Sequence, residues 1–336
     1  MINAFILTSI PFVTVLTLTK VFIRYSQQWG FVAVPNARSS HRAPTPTSGG
    51  AVFVGVILIC WSVLAFQRVV DSNIVWTLVA GGGLLAVVGF VDDRRSVGVW
   101  LRLVVQSLVA IGTLWSLGWP SVISVGASGA MIPLAGVLWF FWILWMSNLY
   151  NFMDGIDGLV ATQTVVMGFL LASLMGGGDL RILVLVFSSA VAGFLFWNWR
   201  PAKIFMGDTG SVFLGYCIAV IALVSEQKTD IPLLVFVLLF AVFIGDATFT
   251  TLGRVLRREP WHQAHRGFAY QQATDLMLQH DQVVLRIQLI NAMLIIASFF
   301  AYYRPVLLPL LLLMAYASLL VLHSCIQRTA RLLKAV

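Results

Sequence analysis

Five short segments carry the carboxylates and amides that interrupt an otherwise apolar chain. They are Val91-Asp92-Asp93, Asn151 to Gly158, Gly207 to Ser211, Ile244-Gly245-Asp246, and the stretch from Glu259 to Asp281 with its histidines. Asp92 and Asp93 fall at the end of an apolar segment, where a helix dipole is negative, so two adjacent acids there call for a cation. A solvated helix end neutralised by Arg94 and Arg95 is the plainer alternative. Asp154 and Asp157 are three residues apart, a spacing that on a helical turn puts both on one face with Asn148 and Asn151 upstream. Gly155 and Gly158 let backbone or ligand approach closely. Polar side chains grouped beside an apolar span are costly unless they bind something; the alternative is a capped loop. Asp208 stands at the start of another apolar segment, where free backbone N–H groups favour phosphate. Magnesium takes oxygen ligands, commonly one or two carboxylates plus substrate phosphates, so this pattern suits a nucleotide diphosphate. The alternative is that Asp208 or Thr209 only caps a helix.

His262, His265 and Arg266 occupy the longest basic loop. No third and fourth ligand accompanies the histidines, so zinc is not expected. Basic side chains beside a membrane also meet lipid headgroups, and that reading stays open for this loop. His41 and Arg42 are either phosphate contacts or ordinary loop charge, and Asp246 lies within an apolar run.

These residues must be positioned by membrane-spanning helices. The 336 residues are 60% hydrophobic and 10% charged, with a mean hydropathy of +0.93. No single soluble core buries that much apolar surface. The expected fold class is all-α and polytopic, with about eleven spans: Ile2–Ile23, Gly49–Phe66, Ile74–Val91, Val99–Leu117, Ile132–Tyr150, Leu159–Met175, Ile182–Trp197, Val212–Val224, Ile231–Leu252, Val283–Tyr302 and Pro305–Ile326. Val212–Val224 is the shortest. With the N-terminus outside, every Lys and Arg except Arg68, Arg181, Lys228 and Arg304 falls inside, as the positive-inside rule requires. All five acidic segments then face the cytoplasm. The net charge of +8 belongs to short loops rather than a folded basic face, so nucleic acid is not an expected partner. The first span carries Lys20 near its end and Arg24 directly after it, with no small-residue cleavage site following, and is expected to be a retained anchor. Cys60, Cys217 and Cys325 are isolated, which argues against a Cys-based zinc motif or a structural disulfide. One integral membrane domain, 1–336, is expected.

The motifs together resemble the polyprenyl-phosphate N-acetylhexosamine-1-phosphate transferases, relatives of the phospho-MurNAc-pentapeptide translocase. The resemblance rests on Pro35 through Pro46 with Gly49-Gly50, Asp92-Asp93, Asn148 to Leu159, Phe205 to Ser211, and Ala264-His265-Arg266 with Tyr270. It covers nearly the whole chain and is nearest the bacterial branch that initiates O-antigen. It implies transfer of an N-acetylhexosamine 1-phosphate from a UDP-sugar to polyprenyl (undecaprenyl) phosphate, releasing UMP, in a bacterial inner membrane. By the same resemblance Asp208 is a ligand of magnesium, or of manganese in its place, and Phe205 stacks on the uracil. Asn151, Asp154, Asp157 and Asn198 line the nucleotide pocket, and Asp92 and Asp93 position or deprotonate the lipid phosphate. Arg42, Arg102, His265 and Arg266 are further substrate contacts, and a homodimer is an open possibility. Phe268 departs from the family's histidine-rich loop. A lipid phosphate is already an ionised nucleophile, so positioning and charge neutralisation matter more than a strong base.

Two other classes compete. A secondary transporter for an anionic metabolite also contains intramembrane carboxylates, but its groups belong near mid-membrane and its halves are related by a repeat. An intramembrane prenyltransferase pairs aspartates with magnesium but lacks the uridine-pocket segments.

Overall fold

The computed structural model describes residues 4–33, 44–120, 122–125, 128–131, 134–229, 231–260, 265–276 and 279–335. Among the described residues the architecture is all-α apart from two short strand pairs, Val32–Ala33 with Thr45–Pro46 and Val122–Val125 with Ser128–Met131. Residues 1–123 and 131–231 make one compact unit, and residues 124–130 and 232–336 the other.

The first unit contains α1 (Ala4–Tyr25), α2 (Gly50–Phe66), α3 (Ser72–Asp92), α4 (Val99–Leu117), α5 (Ala135–Met153), α6 (Leu159–Leu174), α7 (Asp179–Asn198) and α8 (Gly207–Lys228). At its centre is α8, which packs on α2, α3, α5 and α7. Every residue of α8 from Thr209 to Ser225 is buried, as expected of a helix apolar on all sides. Its neighbours approach through glycine: a Cβ on Gly89 of α3 would lie 2.6 Å from the Asp208 carbonyl. The Val212–Val224 window is therefore the middle of a 22-residue helix. Its polar ends add helix length without adding hydropathy.

The second unit contains α9 (Leu233–Leu239), α10 (Ala241–Leu256), α11 (Ala269–Asp275), α12 (His280–Tyr303) and α13 (Leu308–Ala335). Helices α9 and α10 meet at an angle of 79°, and α13 packs on α9, α10, α11 and α12.

The chain is a polytopic membrane protein, but the expectation of eleven spans is corrected. Among the described residues seven helices are long and apolar enough to cross a membrane, or eight if α9 and α10 form one bent span. Among the described residues each of the eleven windows falls largely on a helix, the ninth on the broken pair α9 and α10. However, α2 and α6 have 17 and 16 residues, only about 24–26 Å at 1.5 Å per residue against a hydrocarbon core of about 30 Å. Helix α5 carries Trp139, Trp142, Trp145, Asn148 and Asn151, which dilute its hydropathy.

Candidate active site

In the first unit the carboxylates meet where the C-terminal ends of α3 and α5 adjoin the start of α8. Asp92, the last residue of α3, accepts the Val97 N–H and pairs with Arg102 of α4 at 2.8 Å. The same Arg102 nitrogen reaches Asp208 Oδ2 at 3.0 Å, so one guanidinium joins two acids from distant parts of the chain. Of the two adjacent acids at this helix C-terminus, Asp92 is the one paired with a cation, Arg102. Arg94 instead lies over the Phe31 ring, 4.1 Å from its centroid.

Asp93 is held by a different set of donors. Its carboxylate accepts the Asp208 N–H at 2.8 Å, the Thr209 N–H at 3.4 Å and the Thr209 hydroxyl at 2.7 Å. The expectation that the start of α8 offers free amides to a phosphate is thereby corrected. A helix N-terminus does attract an anion, but here the anion is the protein's own Asp93. Gly207 makes this possible: its φ is +74°, and a Cβ there would sit 2.5 Å from Asp93 Oδ2. Upstream, Gly49 and Gly50 donate to the Phe205 and Met206 carbonyls, and the Phe205 N–H donates to the Pro46 carbonyl. These bonds fix the strand residue Pro46 and the start of α2 against the 205–207 turn.

Asp154 and Asp157 do not share a helical face, contrary to the reading from their spacing. Helix α5 stops at Met153, Asp154 is its C-cap, and α6 begins only after Gly158 at φ +74°. The two acids sit in the break between helices. Asp157 accepts the Ala202 N–H at 3.1 Å. Asn198 is buried, accepting the Gly158 N–H and donating to the Ile204 carbonyl, so it braces the break and the Phe205 turn together. Asn151 donates to the Ser211 hydroxyl at 3.3 Å. Among the described residues no hydrogen bond or ion pair engages the Asp154 carboxyl. Burial pushes its pKa well up, and the charges of Asp208, Asp93 and Asp157 add to the shift. An acid raised by burial and by like charges is a place where an added cation is stabilised.

Two contributors have no site role in the sequence reading, Thr209 being considered only as a helix cap and Gln106 not at all. Thr209 pins Asp93, and Gln106 accepts from Asn148 Nδ2 at 2.7 Å. Gln106 lies four residues after Arg102 on α4, a helical spacing that marks one face. Arg42 lies outside the described residues, as do His41 and His262.

The oxygen donors of this cluster are of the type magnesium takes. Among the described residues, however, no group of three or more His, Cys, Asp or Glu side chains is placed to hold a metal ion. An ion that keeps waters and takes substrate phosphates needs only one or two protein carboxylates. The donor set fits on those terms.

In the second unit His265 stacks on Phe268 with ring centroids 4.7 Å apart, and its Nδ1 accepts the Gly267 N–H at 3.0 Å. Arg266 pairs with Asp275 at 3.0 Å. Burial, helped by the charge of Arg254 and opposed by Glu259, lowers the His265 pKa from 6.5 to about 4. The ring is neutral at pH 7. Because the folded value lies below the unfolded one, its stabilising contribution is complete above pH 6.5 and is lost as pH falls towards about 4. NMR of histidine-labelled protein should show this ring titrating near pH 4. Melting temperature should fall less between those pH values in His265→Phe than in the unmodified chain. A His265 midpoint above pH 6 contradicts this account.

The family model of glycosyl transferase family 4 matches residues 75–226, the stretch that carries the carboxylate cluster. A probable undecaprenyl-phosphate N-acetylglucosaminyl 1-phosphate transferase of Bacillus subtilis is 30% identical over 314 residues, covering 87% of this chain and 83% of that protein. The chain belongs to glycosyl transferase family 4. Two phospho-N-acetylmuramoyl-pentapeptide-transferases are also similar. That of Halalkalibacterium halodurans is 31% identical over 283 residues, covering 75% of this chain and 86% of the relative. That of Moorella thermoacetica is 32% identical over 247 residues, covering 66% and 75%. Asp92, Asp93, Arg102, Asn151, Asp154, Asp157, Asn198, Phe205 and Asp208 all lie inside the family 4 match.

Proposed function

We propose that this single membrane domain, 1–336, transfers an N-acetylhexosamine 1-phosphate from a UDP-sugar to polyprenyl phosphate. The products are UMP and a diphosphate-linked lipid that starts a cell-surface polysaccharide of the O-antigen kind. The observation that carries the reading is the Arg102 bridge between Asp92 and Asp208, set beside the unpaired Asp154 within the matched region. The one-sided basic loops and the bacterial relatives support an inner-membrane protein with this site facing the cytoplasm.

In the reaction an oxygen of the lipid phosphate attacks the phosphorus bearing the sugar, and the bond from that phosphorus to UMP breaks, the electron pair leaving with UMP. Since the nucleophile is already ionised, the chain's task is to hold two anions in line and neutralise their charge. Arg102 supplies positive charge between Asp92 and Asp208. Asp93 is engaged by the start of α8 and Asp92 by Arg102 and the Val97 amide, which supports positioning over proton abstraction. Magnesium, held by Asp208, would neutralise diphosphate oxygens. Asn151, Asp154, Asp157 and Phe205 border the nucleotide, with Asn198 bracing them from beneath. His265 and Arg266 contact the diphosphate or the sugar, and Arg42 is assigned to substrate as well.

Purified protein supplied with polyprenyl phosphate, magnesium and each of a panel of UDP-N-acetylhexosamines should form UMP and lipid-linked sugar in equal amounts with at least one donor. UMP formation should require the lipid. A transporter releases no UMP, and that result across the panel would overturn the reading.

A further inference from the structure

Asp246 is the one acid of helix α10, buried to 8% exposure at the wall of a cavity of about 380 Å³. Apart from Asp246, His323 and Arg286, the cavity lining is mainly aliphatic, with side chains such as Val242, Ile287, Leu319 and Ile326. A carboxylate in such surroundings is costly unless its lone pairs are satisfied. The Asp246 oxygens are satisfied from one direction above all. Oδ1 accepts the Ala269 N–H at 2.8 Å and Oδ2 accepts the Tyr270 N–H at 3.0 Å. Thr250 adds a hydroxyl at 3.3 Å, and His323 Nδ1 of α13 stands 3.3 Å from Oδ1, off the hydrogen-bond axis. The first turn of α11 is thus tied to α10 through two backbone amides.

The residues immediately upstream are tied as well. Gln327 of α13 donates to the Gly267 carbonyl at 2.6 Å, and Arg266 reaches forward to Asp275 on α11. His265 and Arg266 therefore hang from a backbone gripped at 267 by α13 and at 269–270 by Asp246. Phe268, Ala269 and Tyr270 are buried, but apolar burial alone tolerates small rotations and slips of a seven-residue helix. Two charge-assisted bonds to consecutive amides do not, because they are short and directional.

We propose that Asp246 is the positioning residue of the segment that carries His265 and Arg266, setting the start of α11 and so the placement of those two side chains. The inference rests on the reading that this segment contacts the UDP-sugar. A displacement of about 1 Å in a substrate-holding group can cost up to about 100-fold, so the effect should be visible in donor affinity.

The test compares Asp246→Ala, Asp246→Asn and Arg266→Ala with the unmodified enzyme, measuring kcat, KM for each substrate, and hydrogen exchange of the Ala269 and Tyr270 amides without substrate. Asp246→Ala should raise the UDP-sugar KM roughly tenfold, leave the polyprenyl phosphate KM within about twofold, and speed exchange at both amides. Asp246→Asn keeps one acceptor oxygen and should recover part of each effect. If the alanine variant does not accumulate in the membrane, the asparagine variant carries the same comparison. The proposal is overturned if the Asp246 variants alter both KM values alike, or lower kcat alone, while Arg266→Ala raises the UDP-sugar KM. If Arg266→Ala leaves that KM unchanged, the segment is not part of the donor site and the proposal falls with the reading beneath it.

Discussion

Asp208→Asn should lower turnover by a factor of about 100 to 1,000, the loss typical when one preorganised charge-stabilising group is removed, with the protein as abundant in the membrane as before. Asparagine has nearly the shape of aspartate, and the Asp208 backbone N–H still reaches Asp93. Arg102 retains Asp92 at 2.8 Å. What disappears is the charge that would hold magnesium against the donor diphosphate. Like charges from Asp93 and Asp154 also surround this position, so removing one should leave melting temperature unchanged or raise it, the usual trade of stability against activity at a functional site. Steady-state turnover over a magnesium titration, alongside a melting curve in detergent, reads both quantities. Magnesium-dependent activity within about twofold of the unmodified enzyme would rule Asp208 out as the essential ligand.

Gly207→Ala should damage both folding and turnover. The left-handed backbone at φ +74° costs a non-glycine residue about 1–2 kcal/mol, and the new methyl would lie 2.5 Å from Asp93 Oδ2. If Asp93 moves aside, the Asp208 and Thr209 amides and the Thr209 hydroxyl lose their acceptor, at about 1–3 kcal/mol for each buried group left unpaired. If α8 moves instead, Asp208 leaves Arg102. The double variant Gly207→Ala with Asp93→Ala separates the two causes. Because the clash and the lost acceptor share one partner, its loss of stability should be smaller than the sum of the single losses. Strict additivity, or a single variant that melts and turns over like the unmodified chain, contradicts the role given to Gly207.

Much of this was legible beforehand for a specific reason. Charged and amide side chains are so costly beside apolar helices that the few present, Asp92, Asp93, Asn151, Asp154, Asp157 and Asp208, had to be collected. In the first unit they are, and among the described residues every one of these side chains but that of Asp154 is given a partner. Arg102 stood out less, as one basic residue near a helix start among several. Its place between Asp92 and Asp208 depends on α3, α4 and α8 meeting, which no local pattern encodes. The spacing of Asp154 and Asp157 misled because period-three reasoning presumes a continuous helix, whereas one helix stops at Met153 and the next starts only after Gly158.

Hydropathy by itself determined that the chain crosses a membrane repeatedly and where its helices run, since the cost of exposing apolar side chains is a local sum along the sequence. Glycine, aspartate and asparagine in order likewise marked the segments whose carboxylates and amides come together in the first unit. Only the tertiary structure decided how many helices have the length to span, and that α8 is a buried 22-residue centre rather than the shortest span. It alone decided that Asp93, not a substrate phosphate, occupies the start of α8, and that Asp246 reaches across to the Ala269 and Tyr270 amides. A hydrogen bond is won by whichever acceptor the packing brings within about 3 Å, and that choice is made by helices distant in sequence.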